Sequence, residues 1–252
     1  MKIAVIGATG LMGTKIVKYL TDIGHQTSSA ALELGVNVLT GEGLADALAG
    51  ADALVDVTNA PTYEADAVMQ FFTTSAANLV AAAKDAGVRH YVVLSIVGAE
   101  GLRESGYMRG KVAQERIVAQ AGLPYTIVRA TQFYEFAATI TSTFTNDGEI
   151  RVPDALIQPI AADEVAAQVS RAAVYEPVNG VVNVGGPDRL SFADLAALVV
   201  ASQDGSTPVI VDPEARYFGA PLQISSLVTD ADATIGAMRF DHWLRRSALT
   251  SQ

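Results

Sequence analysis

Tyr107 and Lys111 stand four residues apart in the run Tyr107-Met108-Arg109-Gly110-Lys111. On a helix this spacing puts a phenol and an ammonium on one face, one turn apart. A neighbouring ammonium lowers a phenol's pKa, so the pair can exchange a proton near neutral pH. Ser95 lies twelve residues before the tyrosine. A serine hydroxyl there can donate to a substrate oxygen on which negative charge develops. Ser95, Tyr107 and Lys111 are therefore the candidate catalytic residues, for moving a proton to or from a polarised oxygen. The plainer alternative is a surface tyrosine beside a solvated lysine. The placement of the pair, downstream of Ser95 in an alternating α/β chain, favours the chemistry.

A second group suits anion binding. Gly7-Ala8-Thr9-Gly10-Leu11-Met12-Gly13 follows an apolar run and opens a helical pattern. In such a turn Gly7 permits the bend, Gly10 lets backbone approach a pyrophosphate, and Gly13 lets the helix pack close to a sheet. The phosphates would meet free N–H groups and the positive end of the helix dipole. The turn predicts a nicotinamide dinucleotide, held by Gly7, Thr9, Gly10, Leu11, Met12 and Gly13. NAD usually pairs its ribose with an acidic residue after the second strand, and NADP needs a cation there. Glu33 lies about 20 residues beyond Gly13 and could accept a ribose hydroxyl. Ser28 and Ser29 could donate to a 2′-phosphate, with Lys15 in reach.

The elements that must position these groups alternate. Ile3–Ile6 predicts a buried strand, and Leu11 to Leu20 predicts a helix ended by Gly24. Gln26–Ser29 is a weak, polar strand. Val36–Leu39 predicts a strand, Leu44–Leu48 a short helix, and Ala53–Val57 a strand. A long helix is expected over 66–86. Tyr91–Leu94 reads as a strand with Ser95 at its carboxyl end, followed by a helix over 107–121 and a strand at Tyr125–Val128. A helix is expected from Phe133. Such alternation implies α/β, a Rossmann-type doubly wound parallel sheet, with a small C-terminal substrate lobe. The lobe is expected over 146–252, with elements returning to the dinucleotide-binding core of residues 1–145, so that the chain forms a single compact unit. Within 146–252 the pattern loosens. Short strands are expected near Ile150–Val152, Leu156–Gln158, Val181–Val184 and Val209–Val211. Asp163 is expected to cap a helix through Val174, and Ser191 with Asp194 to cap another to Ala201.

Composition narrows the chemistry. The formal net charge is −10 and cationic residues are scattered, which opposes nucleic-acid binding. There is no cysteine, so disulfides and thiolate metal sites are excluded, and the three histidines show no ligand spacing. No metal is expected. No apolar run approaches the ~18 residues of a membrane span, and no signal peptide is visible. The expectation is a cytoplasmic protein, monomeric or homodimeric, without membrane or nucleic-acid partners.

These features together resemble the short-chain dehydrogenase/reductase superfamily, and more narrowly its atypical, NmrA-like NAD(P)H-binding branch. The match rests on Gly7 to Gly13, Asn78–Ala83, Gly87-Val88, His90, Ser95, and Ser105 to Lys111 with Glu115. It continues through Val128 to Phe133, Pro159–Ala166 and Val184-Gly185-Gly186-Pro187. The resemblance implies cofactor contacts at Thr58, Asn59 and Ala60, at Glu42 near the adenine, and at Ala130 and Thr131 beside the nicotinamide. It implies NADP(H) as favoured cofactor with NAD(H) possible, although Leu32 stands near where many NADP-binding relatives carry Arg. The implied reaction is reduction of a ketone, aldehyde or quinone by hydride transfer. Tyr107 would protonate the oxygen, Lys111 would also bind ribose, and Ser95 would hold the carbonyl. Val97, Gln132, Phe133, Tyr134 and Phe136 would bound the substrate; the same aromatics could instead be core. Two alternatives stay open: a non-catalytic NAD(P)-sensing regulator, and an isomerase or C=C reductase on the same site. Sensors of this branch generally lack the Tyr and Lys pair, which this chain keeps.

Overall fold

The computed structural model describes residues 1–203 and 205–250. Asp204 and residues 251–252, within the lobe expected over 146–252, lie outside the described residues. Along the chain run β1 (Lys2–Ile6), α1 (Leu11–Asp22), β2 (Gln26–Ala30), α2 (Leu44–Leu48), β3 (Ala53–Asp56) and α3 (Ala65–Asp85). Then come β4 (His90–Ile96), α4 (Gly106–Ala119), β5 (Tyr125–Ala130), α5 (Ala137–Ser142), β6 (Thr145–Asn146), β7 (Glu149–Val152) and β8 (Leu156–Ile157). The remainder is α6 (Ala162–Val174), β9 (Gly180–Gly185), β10 (Leu190–Ser191), α7 (Phe192–Ser202), β11 (Val209–Val211), β12 (Thr234–Ile235) and α8 (Phe240–Thr250).

Seven strands form one sheet in the order β12-β9-β5-β4-β3-β1-β2. The β1–β2, β1–β3, β3–β4 and β12–β9 pairs are parallel. Helices cover the faces, so the inner strands are apolar on both sides, as Ile3 to Ile6 and Ala53 to Val55 are. β2 tolerates the polar Gln26-Thr27-Ser28-Ser29 because it is the edge strand. Strand order reverses at β1, between β2 and β3. In open α/β sheets a ligand crevice forms at such a switch point, outside the carboxyl ends of the strands.

The strand expected at Val36–Leu39 is absent; Val36 and Asn37 are irregular, and Val38 and Leu39 lie in a turn. Gly35 takes a left-handed φ of 81° and the Asn37 carboxamide accepts the Leu39 N–H. Val36 and Val38 are apolar because they pack on the core beside Leu44 and Leu48, not because they join a ladder. Asp163 lies within the first turn of α6, one residue inside its start, so it favours the helix dipole without occupying the cap position. Ser191 does cap α7, its hydroxyl accepting from the Asp194 N–H.

The chain divides into two compact units. Unit 1 holds Met1–Ser95, Gly106–Arg129 and Asp163–Val182; unit 2 holds Ile96–Ser105, Ala130–Ala162 and Asn183–Gln252. In place of one compact unit with a lobe from 146, the chain crosses between the units after Ser95, Ser105, Arg129, Ala162 and Val182; the crossings after Ser95 and Arg129 lie near the carboxyl ends of β4 and β5. α6 lies within 146–252, from which elements are expected to return to the core, and Asp163 onward belongs to unit 1. Unit 2 carries the antiparallel β8–β10 pair and a small sheet ordered β11-β7-β6. Phe192 at its centre packs edge-on against Phe144 and Tyr217. β12 and α8 of unit 2 are not among the elements expected from the sequence, although Phe240, Trp243 and Leu244 of α8 recur at helical spacing. Among the described residues no helix is long and apolar enough to cross a membrane.

Candidate active site

In unit 1 the glycine turn joins β1 to α1. Its two later glycines differ physically. A Cβ on Gly13 would lie 2.1 Å from the Gly7 carbonyl oxygen and 2.5 Å from Ala8 Cα, so the close seating of helix on turn demands glycine. A Cβ on Gly10 would meet only the Gly7 oxygen, at 3.4 Å, which is ordinary contact. The protein itself does not require glycine at 10. A Cβ there would instead fill the space an incoming phosphate needs. No side chain caps α1 and its first turn carries no acid, which leaves its N–H groups for an anion. The turn thus fits a dinucleotide.

Around it the expected contacts sort themselves. The Glu33 carboxylate accepts from the Thr9 hydroxyl at 3.1 Å, which brings an acid to the turn. Ser28 lies mid-strand, in register with Ala4; it is Ala30, level with Ile6, whose carbonyl accepts from Gly7 and Ala8. Ser28 is therefore two residues short of the turn. Glu42 is exposed, and its backbone carbonyl closes a turn with the Asn37 N–H. Leu11 is exposed, whereas Met12 is buried.

After β3, Thr58 donates through both its backbone N–H (3.0 Å) and its hydroxyl (2.7 Å) to Asp56 Oδ1. This pins the start of Thr58-Asn59-Ala60. Asn59 Oδ1 accepts from the Ala60 N–H and, at 2.8 Å, from the Tyr107 hydroxyl. Asn59 thus joins this segment to the proposed acid, a link the sequence did not signal.

Tyr107 and Lys111 are carried by α4, which packs on α3. A Cβ on Gly106 would lie 2.5 Å from the Ala65 Cβ, and one on Gly110 would lie 2.8 Å from Val68 Cγ1. These two glycines, one turn apart, let the helices approach and press both functional side chains inward. The Tyr107 ring meets Phe72 edge-on at 5.9 Å and Tyr63 at 5.6 Å. Burial pushes its phenol pKa well up, nearby Tyr63 adds to this, and the Asn59 hydrogen bond opposes it. The lowering expected from Lys111 is therefore reversed in direction: burial dominates.

Lys111 is buried, 4 % exposed. Its ammonium donates to the Leu94 carbonyl at 2.8 Å and to Gln114 Oε1, and it sits 4.7 Å from the Phe72 ring centroid. Burial lowers its pKa to about 8, against the opposing charges of Asp56 and Glu115. The contact with Leu94 sets the ammonium beside the residue before Ser95. The Ser95 hydroxyl is itself buried without a hydrogen-bond partner. A buried orphan hydroxyl is costly, and a ligand oxygen would relieve it.

Unit 2 holds the remaining expected residues. Ala130 accepts from the Val97 N–H at 3.0 Å, and the Thr131 N–H donates to the Val184 carbonyl. The Thr131 hydroxyl and both polar atoms of the Gln132 carboxamide are buried without partners. Phe133 stacks on Phe136, and Phe136 is exposed. Tyr134 belongs to the core: its hydroxyl donates to the Met238 carbonyl at 2.6 Å and its ring packs on Phe240 and Trp243. That packing with α8 removes it from the expected substrate-lining set.

A family model described as NAD(P)H-binding matches residues 7–174. The photosystem II assembly factor Ycf39 of Synechocystis is 28 % identical over 149 residues, covering 54 % of this chain and 46 % of that protein. This chain thus spans about half the length of that relative. A (4-alkanoyl-5-oxo-2,5-dihydrofuran-3-yl)methyl phosphate reductase of Streptomyces griseus is 28 % identical over 248 residues, 92 % of this chain and 79 % of the reductase. Among solved structures, a short-chain dehydrogenase/reductase superfamily protein of Agrobacterium tumefaciens with bound NAD superposes with a TM-score of 0.73. It shares 16 % identity, with 100 % of this chain and 97 % of that one covered.

Proposed function

This chain belongs to the NAD(P)H-binding family whose model spans residues 7–174, and from that premise we propose that it is an oxidoreductase reducing a small-molecule carbonyl. The observation that carries the reading is the orphaned, buried Ser95 hydroxyl on the strand whose Leu94 carbonyl holds the Lys111 ammonium. A bound nicotinamide would supply hydride. Ser95 would donate to the substrate oxygen, where charge builds as the carbonyl is reduced. Tyr107 would deliver the proton to that oxygen. Its phenol is held protonated by burial, the form needed in the reducing direction. The phenol proton rests on Asn59 Oδ1 at 2.8 Å, and the hydroxyl would turn from Asn59 to the substrate oxygen to deliver it. Lys111 would place a positive charge near the developing oxyanion and hydrogen-bond the cofactor's ribose. The reductase from Streptomyces griseus supports a reducing role.

The cofactor choice turns on Glu33. A carboxylate at the turn accepts ribose hydroxyls and repels a 2′-phosphate. Its bond to Thr9 favours NAD(H), against the NADP(H) preference expected from the family resemblance.

Titration of the protein with NADH and NADPH by fluorescence, followed by a panel of ketones, aldehydes and quinones, tests the reading. Tyr107→Phe should abolish turnover with cofactor affinity nearly intact; unchanged turnover sinks the mechanism. The similarity to Ycf39 favours a second reading, a dinucleotide-binding protein that acts through a protein partner. Tight cofactor binding with no turnover across the panel would select it.

A further inference from the structure

Asp56 ends β3 with its side chain fully buried, 0 % exposed. Four donors converge on it. Oδ1 takes the Thr58 N–H and hydroxyl, while Oδ2 takes the Tyr91 hydroxyl at 2.9 Å and the Gln114 carboxamide N–H at 2.8 Å. The other end of that carboxamide accepts from Lys111. The orientation of the Gln114 amide follows from chemistry. Asp56 can only accept and an ammonium can only donate, so nitrogen must face the one and oxygen the other. Glutamine is suited to this place because it carries both a donor and an acceptor on one planar group.

We propose that Asp56 is a positioning residue for both chemistry-bearing side chains of α4, reaching Lys111 through Gln114 and Tyr107 through the Thr58–Asn59 segment. The proposal rests on the reading that Lys111 and Tyr107 act on a bound ligand. A direct Asp56–Lys111 ion pair would draw the ammonium onto the carboxylate. The glutamine bridge keeps the two apart, while the carboxylate still offsets part of the cost of burying a cation. Leu94 and Gln114 take two of the three ammonium N–H groups. The lysine is thereby fixed in direction, with one donor left for an incoming oxygen. On the other branch, Asp56 holds Thr58 through two bonds, and the next residue, Asn59, accepts from the Tyr107 hydroxyl. One buried charge thus sets the direction of both groups.

The charges facing Lys111 are few. β3 supplies Asp56, and α4 itself supplies Glu115. Glu115 is already engaged by the Arg129 guanidinium of β5, at 3.0 and 2.7 Å. α3 contributes the Phe72 ring and β4 the Leu94 carbonyl, neither charged.

The test follows Lys111 directly. In the full chain labelled with 13C-lysine, the Lys111 Cε resonance, assigned by its loss in Lys111→Arg, is titrated against pH. Gln114→Met keeps the side chain's length and removes both polar ends. It should lower the proton affinity of Lys111 about tenfold, a fall of one pH unit in its midpoint. Asp56→Asn should lower it in the same direction and also disturb the Tyr107 hydroxyl, which Gln114→Met should spare. If Asp56→Asn does not fold, Gln114→Met alone decides. A Lys111 titration in Gln114→Met that superimposes on the parent's overturns the proposal. Cofactor affinity and turnover are read on the same samples. A shifted midpoint with unchanged turnover upholds the relay and overturns instead the reading that Lys111 serves the reaction.

Discussion

Replacing Lys111 by methionine isolates the energetic cost of its burial. The ammonium's pKa falls from 10.5 to about 8 in the folded chain. At 1.36 kcal/mol per unit this is about 3 kcal/mol disfavouring the charged form on folding. Its sign in pH is definite. Between pH 8 and 10.5 the unfolded chain binds more protons at this residue than the folded one, so stability rises with pH across that window. Above 10.5 the lysine is neutral in both states and the cost is gone; below 8 it is charged in both and the full cost applies. Lys111→Met removes the group and with it this slope. At pH 7 the variant regains about 3 kcal/mol but leaves the Leu94 carbonyl and Gln114 Oε1 without a donor, at about 1–3 kcal/mol each. The two effects nearly cancel, so parent and variant should have similar stability there. Urea unfolding from pH 7 to 11 gives the difference between them. The parent should gain about 3 kcal/mol on the variant between pH 8 and 10.5, with no relative change below pH 8. Curves that stay parallel through that window would refute the claim that the ammonium is buried at a cost.

The remaining expectations concern the turn and the core. Gly10→Ala should weaken cofactor binding with little change in thermal stability, whereas Gly13→Ala should cost about 1–3 kcal/mol or more in unfolding, because its Cβ would lie 2.1 Å from the Gly7 oxygen. Glu33→Ser should narrow the gap between NADH and NADPH dissociation constants in a fluorescence titration; an unchanged ratio would remove Glu33 from the cofactor choice. Arg129→Met leaves the Glu115 carboxylate, 6 % exposed, buried without its bidentate partner, and should cost about 3–5 kcal/mol in denaturant unfolding.

The amino-acid sequence by itself determined the alternation of strands and helices, because a parallel sheet covered on both faces writes its strands as apolar runs bounded by glycines. It located the glycine turn between β1 and α1, since Gly7, Gly10 and Gly13 stand at fixed spacing after an apolar run, and it put Tyr107 and Lys111 on one helix face. Local spacing could not tell how deeply that helix would be pressed against α3. That depth, set by Gly106 and Gly110 against Ala65 and Val68, makes burial outweigh any lowering of the Tyr107 pKa. Tertiary structure alone decided that Val36–Leu39 forms no strand, that Tyr134 packs on α8, and that the chain crosses repeatedly between two units. It alone joined Asp56 to Gln114 across 58 residues of sequence. One half of that relay was open to sequence reasoning, since Gln114 follows Lys111 by three residues on the same face. The other half was not: a carboxylate at the end of a buried strand shows that some partner must exist, and only the packing of α4 over β3 supplies which one.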